Sequence, residues 1–178
     1  MTDFRGGVVN PAVPKPALTL TSQLGETYDF RKETDGHATL LFFGYTNCPD
    51  VCPLQMARIA AALRDLDPSV VKQLRVVFVS VDPERDTPER LAQWLGAFHE
   101  SFIGLTGESE QVDAALGEMR FQPGRVERLD DESYGVAHAS AVIGYTPDNV
   151  GRLLYFSGTT AEDFAHDIPL LVRFRDGG

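Results

Sequence analysis

Two stretches of the chain are apolar almost without interruption: residues 40–45 (LLFFGY) and residues 74–81 (LRVVFVSV). Runs of this kind suit strands covered on both faces, as in a parallel sheet. Each leads into a segment with helical spacing. After the first, Pro53 fits an opening helical turn, and Leu54, Ile59, Ala62 and Leu63 share one face. After the second, Thr87 and Pro88 start a helix whose apolar positions are Leu91, Trp94, Leu95 and Phe98. Upstream, residues 17–20 and 26–30 flank Gly25 as a hairpin. Downstream, the pattern predicts a short strand at 102–105 and a helix over 109–119. A polar, acidic loop is expected over 122–134. A hairpin of residues 139–145 and 152–156 turns across Pro147-Asp148-Asn149, and a last helix spans 160–174.

Two strand–helix–strand units followed by a hairpin and a helix predict an α/β, thioredoxin-like fold. The expected sheet is central and mostly parallel, with helices on both faces and an N-terminal hairpin. Residues 1–16, with Pro11, Pro14 and Pro16, predict an extended arm, and residues 17–178 a single domain. In open sheets of this class, functional groups gather at the carboxyl ends of the parallel strands. Two segments fall there: the one holding Cys48, and the loop Asp82-Pro83-Glu84-Arg85-Asp86.

The chain has two cysteines, and they stand four residues apart, Cys48-Pro49-Asp50-Val51-Cys52. They lie where the first apolar strand turns into its helix. The free amides and the dipole of a helix start stabilise a thiolate, so one or both thiols are expected to be more acidic than usual. Residues four apart share a helical face, with Cα atoms near the roughly 6 Å that a disulfide accepts. A disulfide and joint metal binding are therefore both open.

Thioredoxin-like oxidoreductases place two residues between their thiols; three stand here. They also carry a proline opposite the thiols, just before the penultimate strand, and the corresponding place here is His138. Two thiolates and one imidazole form a soft donor set suited to Cu(I), and too small for a closed structural zinc site. Met56 follows Cys52 by four and is expected in the core or at its rim. His37, His99 and His166 read as solvent-facing or packing residues. Asp82 to Asp86 reads as a turn and helix start, with Thr87 or Asp86 as cap; a role supporting the thiols, or in docking, is the further reading. A thiol peroxidase is a further reading, but peroxiredoxins place a threonine three residues before the attacking cysteine, and Thr46 is two before Cys48.

Charge narrows the partners. A formal net charge of −10 disfavours nucleic acid and adhesion to anionic lipid, while a basic protein partner would be attracted. No stretch has the length and apolarity of a membrane span, and the first five residues do not open a signal peptide.

The segment Phe43-Gly44-Tyr45-Thr46-Asn47-Cys48-Pro49-Asp50-Val51-Cys52-Pro53 closely resembles the Sco/SenC family of copper-binding assembly proteins. The likeness extends through Val79-Ser80-Val81-Asp82-Pro83-Glu84-Arg85-Asp86-Thr87-Pro88-Glu89 and Phe102-Ile103-Gly104-Leu105-Thr106-Gly107, covering roughly residues 10 to 175. The resemblance implies a copper metallochaperone that binds one copper, Cu(I) or Cu(II), through Cys48, Cys52 and His138. It further implies a role in maturing the dinuclear copper site of cytochrome c oxidase. The partners would be the copper-site subunit of that oxidase and an upstream copper donor protein, and the chain itself a monomer. The alternative is a thiol–disulfide reductase for the cysteines of that subunit, with Cys48 and Cys52 as the redox-active pair. Family members face the periplasm or another extracytoplasmic space, which here implies an anchor preceding the arm. One position departs from the family: Ala137 stands where an Asp often precedes the ligand histidine.

Overall fold

A computed structural model describes residues 3–120, 125–128, 134–137 and 141–174. The chain runs β1 (Gly7–Pro14), β2 (Thr19–Ser22), β3 (Thr27–Asp29), α1 (Phe30–Glu33), β4 (Ala38–Gly44), α2 (Val51–Arg64), α3 (Pro68–Val71) and β5 (Leu74–Ser80). It continues through α4 (Pro88–Gly96), β6 (Ile103–Thr106), α5 (Ser109–Glu118), β7 (Arg125–Arg128), β8 (Tyr134–Ala137), β9 (Val142–Tyr145), β10 (Val150–Tyr155) and α6 (Ala161–Arg173). One sheet of eight strands has the order β1-β10-β9-β4-β5-β6-β2-β3, and β7 pairs with β8 apart from it.

The apolar runs become the two central strands. β4 and β5 pair in parallel from Ala38↔Leu74 to Gly44↔Ser80, and β6 continues in parallel on the other side of β5. The remaining ladders of the sheet are antiparallel. The expectation of a mostly parallel sheet is thus corrected: parallel pairing is confined to β4, β5 and β6. The two hairpins and β1 supply the rest, because a short turn can join only antiparallel neighbours.

Strand alternation splits the core into two layers. Leu40, Phe42, Val76 and Phe78 pack with Cys52, Met56 and Ile59 of α2, Leu91 and Leu95 of α4, and Phe164, Ile168 and Leu171 of α6. Leu41, Phe43, Val77 and Val79 face the other way, onto Phe30, Val112 and Leu116. Helices therefore cover both faces, as expected for runs apolar at every position.

Two further segments differ from the sequence pattern or extend it. Residues 7–14 of the N-terminal arm form the edge strand β1, paired with β10. The stretch expected as a polar loop contains β7, which forms a ribbon with β8 at and just beyond its end, Val126 opposite Val136. Strands of only four residues give no usable period-2 signal.

Candidate functional site

β4 ends at Gly44, and α2 begins at Val51. Between them the chain turns tightly, the Cys48 amide donating to the Tyr45 carbonyl at 3.2 Å. Cys48 is half-buried in this turn, whereas Cys52, second residue of α2, is fully buried. Both stand as thiols rather than as a disulfide, and the Cys52 thiol is hydrogen-bonded to Cys48. The four-residue spacing does bring the sulfurs together. Around Cys52 lie the apolar side chains of the layer that contains Tyr45, Met56 and Phe78. Met56 is fully buried, a core residue as the sequence suggested.

For Cys52 the acidity expected from the helix start is reversed. Its hydrogen bond to Cys48 and its burial both raise the thiol far above its ordinary range. The Cys48 and Asp86 charges push in the same direction, and only the backbone contact with Tyr45 opposes them. A dipole at a helix terminus is worth about 1 kcal/mol, less than removing a thiolate from water into an apolar layer costs.

The loop after β5 lies alongside. Thr87 caps α4, accepting from the Arg90 amide at 3.3 Å. Asp86 does something else. It accepts from the Thr46 amide at 3.0 Å, from the Thr46 hydroxyl at 2.6 Å and from the Ser80 hydroxyl at 2.7 Å. Asp82, also buried, pairs with Arg85 at 2.7 Å. Sequence reasoning admits a role beside the thiols for this segment without singling out Asp86 or its partners. The available signal was placement: both loops leave the same end of adjacent parallel strands.

His138 lies outside the described residues. The strand after it, β9, starts with Val142 opposite Phe42, at the end of β4 that leads to Cys48. The other histidines are engaged elsewhere, as expected: His37 with Arg75 at 2.9 Å, His99 with Ser101 at 2.8 Å, and His166 with Asp167 at 2.8 Å. Among the described residues no group of three His, Cys, Asp or Glu could hold a metal ion. The two touching sulfurs alone form the donor set there. A thiol pair against an apolar wall fits a soft, weakly hydrated cation such as Cu(I) rather than a hard one that demands oxygen ligands.

A thiol pair heading the helix that follows a central parallel strand defines a thioredoxin-like dithiol protein. Within that class, a family model described as SCO1/SenC matches residues 11–173, and the chain belongs to that family. An SCO2-like protein of Rickettsia prowazekii is 35% identical over 136 residues, covering 76% of this chain and 64% of the relative. The human mitochondrial SCO2 homolog is 32% identical over 141 residues, covering 79% of this chain and 52% of the relative. The chain thus spans between half and two thirds of the length of these relatives. Among solved structures, Bradyrhizobium japonicum ScoI with copper bound superposes with a TM-score of 0.79 at 30% identity, covering 90% of this chain and 99% of the other. Apo Sco1 from Thermus thermophilus gives 0.82 at 30% identity, covering 94% and 96%.

Proposed function

We propose that this protein is a copper metallochaperone that takes one copper ion through Cys48, Cys52 and His138. Its task on this reading is to help mature the dinuclear copper site of cytochrome c oxidase. One observation carries it: two soft sulfur donors are held in contact against an apolar wall, in a family that includes copper-bound structures. Cys48 and Cys52 would bind as thiolates, releasing their protons to the cation, so affinity falls as pH falls. His138 would supply the third donor, and the start of β9 at the thiol end of the sheet supports that assignment. The copper-site subunit of the oxidase is the proposed recipient, supplied by an upstream donor protein, in an extracytoplasmic compartment. No helix among the described residues is long and apolar enough to cross a membrane.

Titration of the reduced protein with Cu(I) against a competing chelator tests this. One equivalent is expected to bind, with loss of at least about a hundredfold in affinity for Cys48→Ser and a clear loss for His138→Ala. Unchanged affinity in His138→Ala would remove that residue from the site.

A second reading has its own support. The half-buried Cys48 and the fully buried Cys52 have the asymmetry of an attacking and a resolving thiol. A thiol–disulfide reductase acting on the same oxidase subunit would keep its turnover in His138→Ala and lose it in Cys48→Ser.

A further inference from the structure

Asp86 is a carboxylate with 0% exposure. Aspartates are almost never buried to this degree unless paired, because an anion taken from water needs strong compensation. Its compensation comes from hydrogen-bond donors of two segments. Oδ1 accepts from the Thr46 hydroxyl, and Oδ2 accepts from both the Thr46 amide and the Ser80 hydroxyl. Arg90 approaches through the same threonine, its Nε donating to Thr46 Oγ1 at 3.1 Å. Thr46, itself buried, is therefore held at backbone and side chain at once, two residues before Cys48. Ser80 ends β5 and also accepts from the Asp82 amide at 3.0 Å. Next to this junction the strands are joined directly, Val81 donating to the Gly44 carbonyl at 2.8 Å.

A neutral side chain could fill this space and spare the cost of burying an anion; such replacements are often neutral or stabilising. What a carboxylate adds is short, directional, charge-assisted bonds. Those bonds converge on the one loop whose conformation brings the Cys48 sulfur to Cys52.

We infer that Asp86 is the positioning residue of the thiol pair: through Thr46 it fixes the loop carrying Cys48 against Cys52, and so governs how firmly the two sulfurs act on one ligand. The inference rests on the copper reading only for the identity of that ligand. Once one sulfur has bound, engagement of the second is intramolecular, and its effective concentration depends on how well the loop is held.

Four variants test it: Asp86→Asn, Thr46→Val, Thr46→Ser and the double variant Asp86→Asn/Thr46→Val. Two readouts apply to each. One is Cu(I) affinity by chelator competition. The other is equilibrium with glutathione, in which oxidised glutathione takes two electrons and two protons from Cys48 and Cys52. That exchange forms the Cys48–Cys52 bond and two reduced glutathiones.

Asp86→Asn and Thr46→Val are each expected to lower both constants by about tenfold or more, the scale of losing a hydrogen bond to a charged group. Thr46→Ser, which keeps the hydroxyl, is expected to stay near wild type. The double variant should be little worse than either single, because both act through one contact. Wild-type constants in Asp86→Asn, whatever its melting temperature, would reduce Asp86 to a structural residue and overturn the proposal, as would additive losses in the double variant. Should Asp86→Asn not fold, the contrast between Thr46→Val and Thr46→Ser decides alone. A wild-type protein that takes up no copper, with a glutathione equilibrium that still responds to Asp86→Asn, would sink the copper reading and leave the positioning role standing. Copper uptake with no response in either readout would do the reverse.

Discussion

Gly44 leaves open the space beside the Cys52 sulfur: a Cβ at position 44 would stand 2.9 Å from Cys52 Sγ and 2.8 Å from the edge of the Phe78 ring. Both neighbours are fully buried. Phe78 cannot retreat freely, since its ring packs edge-on against Phe42 at 5.9 Å and tilted against Trp94 at 5.1 Å between centroids. Gly44→Ala must therefore displace the sulfur, the ring or the end of β4. Overpacking of a tight core costs about 1–3 kcal/mol. A lowered melting temperature is expected, together with weaker Cu(I) binding in chelator competition. A variant that melts lower but binds copper as wild type would show that Phe78, not Cys52, gives way.

The N-terminal strand is tied down by a second buried carboxylate. Asp167 of α6 has 0% exposure and accepts from the Arg5 amide with both oxygens at 3.0 Å and from the Gly6 amide at 2.8 Å. Asp167→Asn keeps the shape but turns one acceptor into a donor facing those amides. A loss of about 2–4 kcal/mol is expected. Hydrogen exchange should show Arg5 and Gly6 losing protection together with the strand that follows. The Arg5–Asp163 pair at 3.2 Å lies at the surface with both side chains partly in water, so Arg5→Ala should change stability by less than about 1 kcal/mol. Equal losses in the two variants would mean that the surface ion pair, not the buried carboxylate, holds the arm.

These two carboxylates mark the limit of what the sequence discloses. β4, β5, α2 and α4 were readable because their signals are local: unbroken apolar runs, Pro53 in an early helical turn, and Thr87-Pro88 at a helix start. The thiol pair was readable for the same reason, since two cysteines four apart at a helix start already suggest sulfurs that can meet. The functions of Asp86 and Asp167 depend on partners 40 and 162 residues away in the chain, and neither leaves a local mark. Asp86 looked like a cap because it precedes Thr87-Pro88. Strand polarity failed similarly: the two hairpins were readable, but the antiparallel pairing of β1 with β10, β2 with β6 and β4 with β9 joins segments distant in the chain. Which thiol the helix start would favour was not readable, because burial of Cys52 and its bond to Cys48 leave no mark in the sequence.

Lys15 offers a pH test of the far end of the sheet. Its Nζ is buried, donates to the Thr34 carbonyl at 2.7 Å and to the His37 carbonyl at 3.4 Å, and lies 5.9 Å from the ring centres of both Phe30 and Tyr145. Burial lowers its pKa from 10.5 to about 8, with the Asp35 and Asp148 carboxylates opposing that fall. Below about pH 8 the ammonium is charged in both states, and the folded chain bears the whole cost of burying it. Between 8 and 10.5 the folded state has released the proton while the unfolded state still holds it, so this residue's contribution to stability rises with pH. Lys15→Met removes that dependence. It also strips a donor from two carbonyls, so the sign of its effect at neutral pH is set by opposing terms and decides nothing. The pH trend is what discriminates. From pH 7 to 9.5 the stability of wild type relative to Lys15→Met, measured by urea unfolding, should rise by about 1–2 kcal/mol. A difference constant across that range would mean that Lys15 keeps its proton in the fold and that the two carbonyls outweigh its burial.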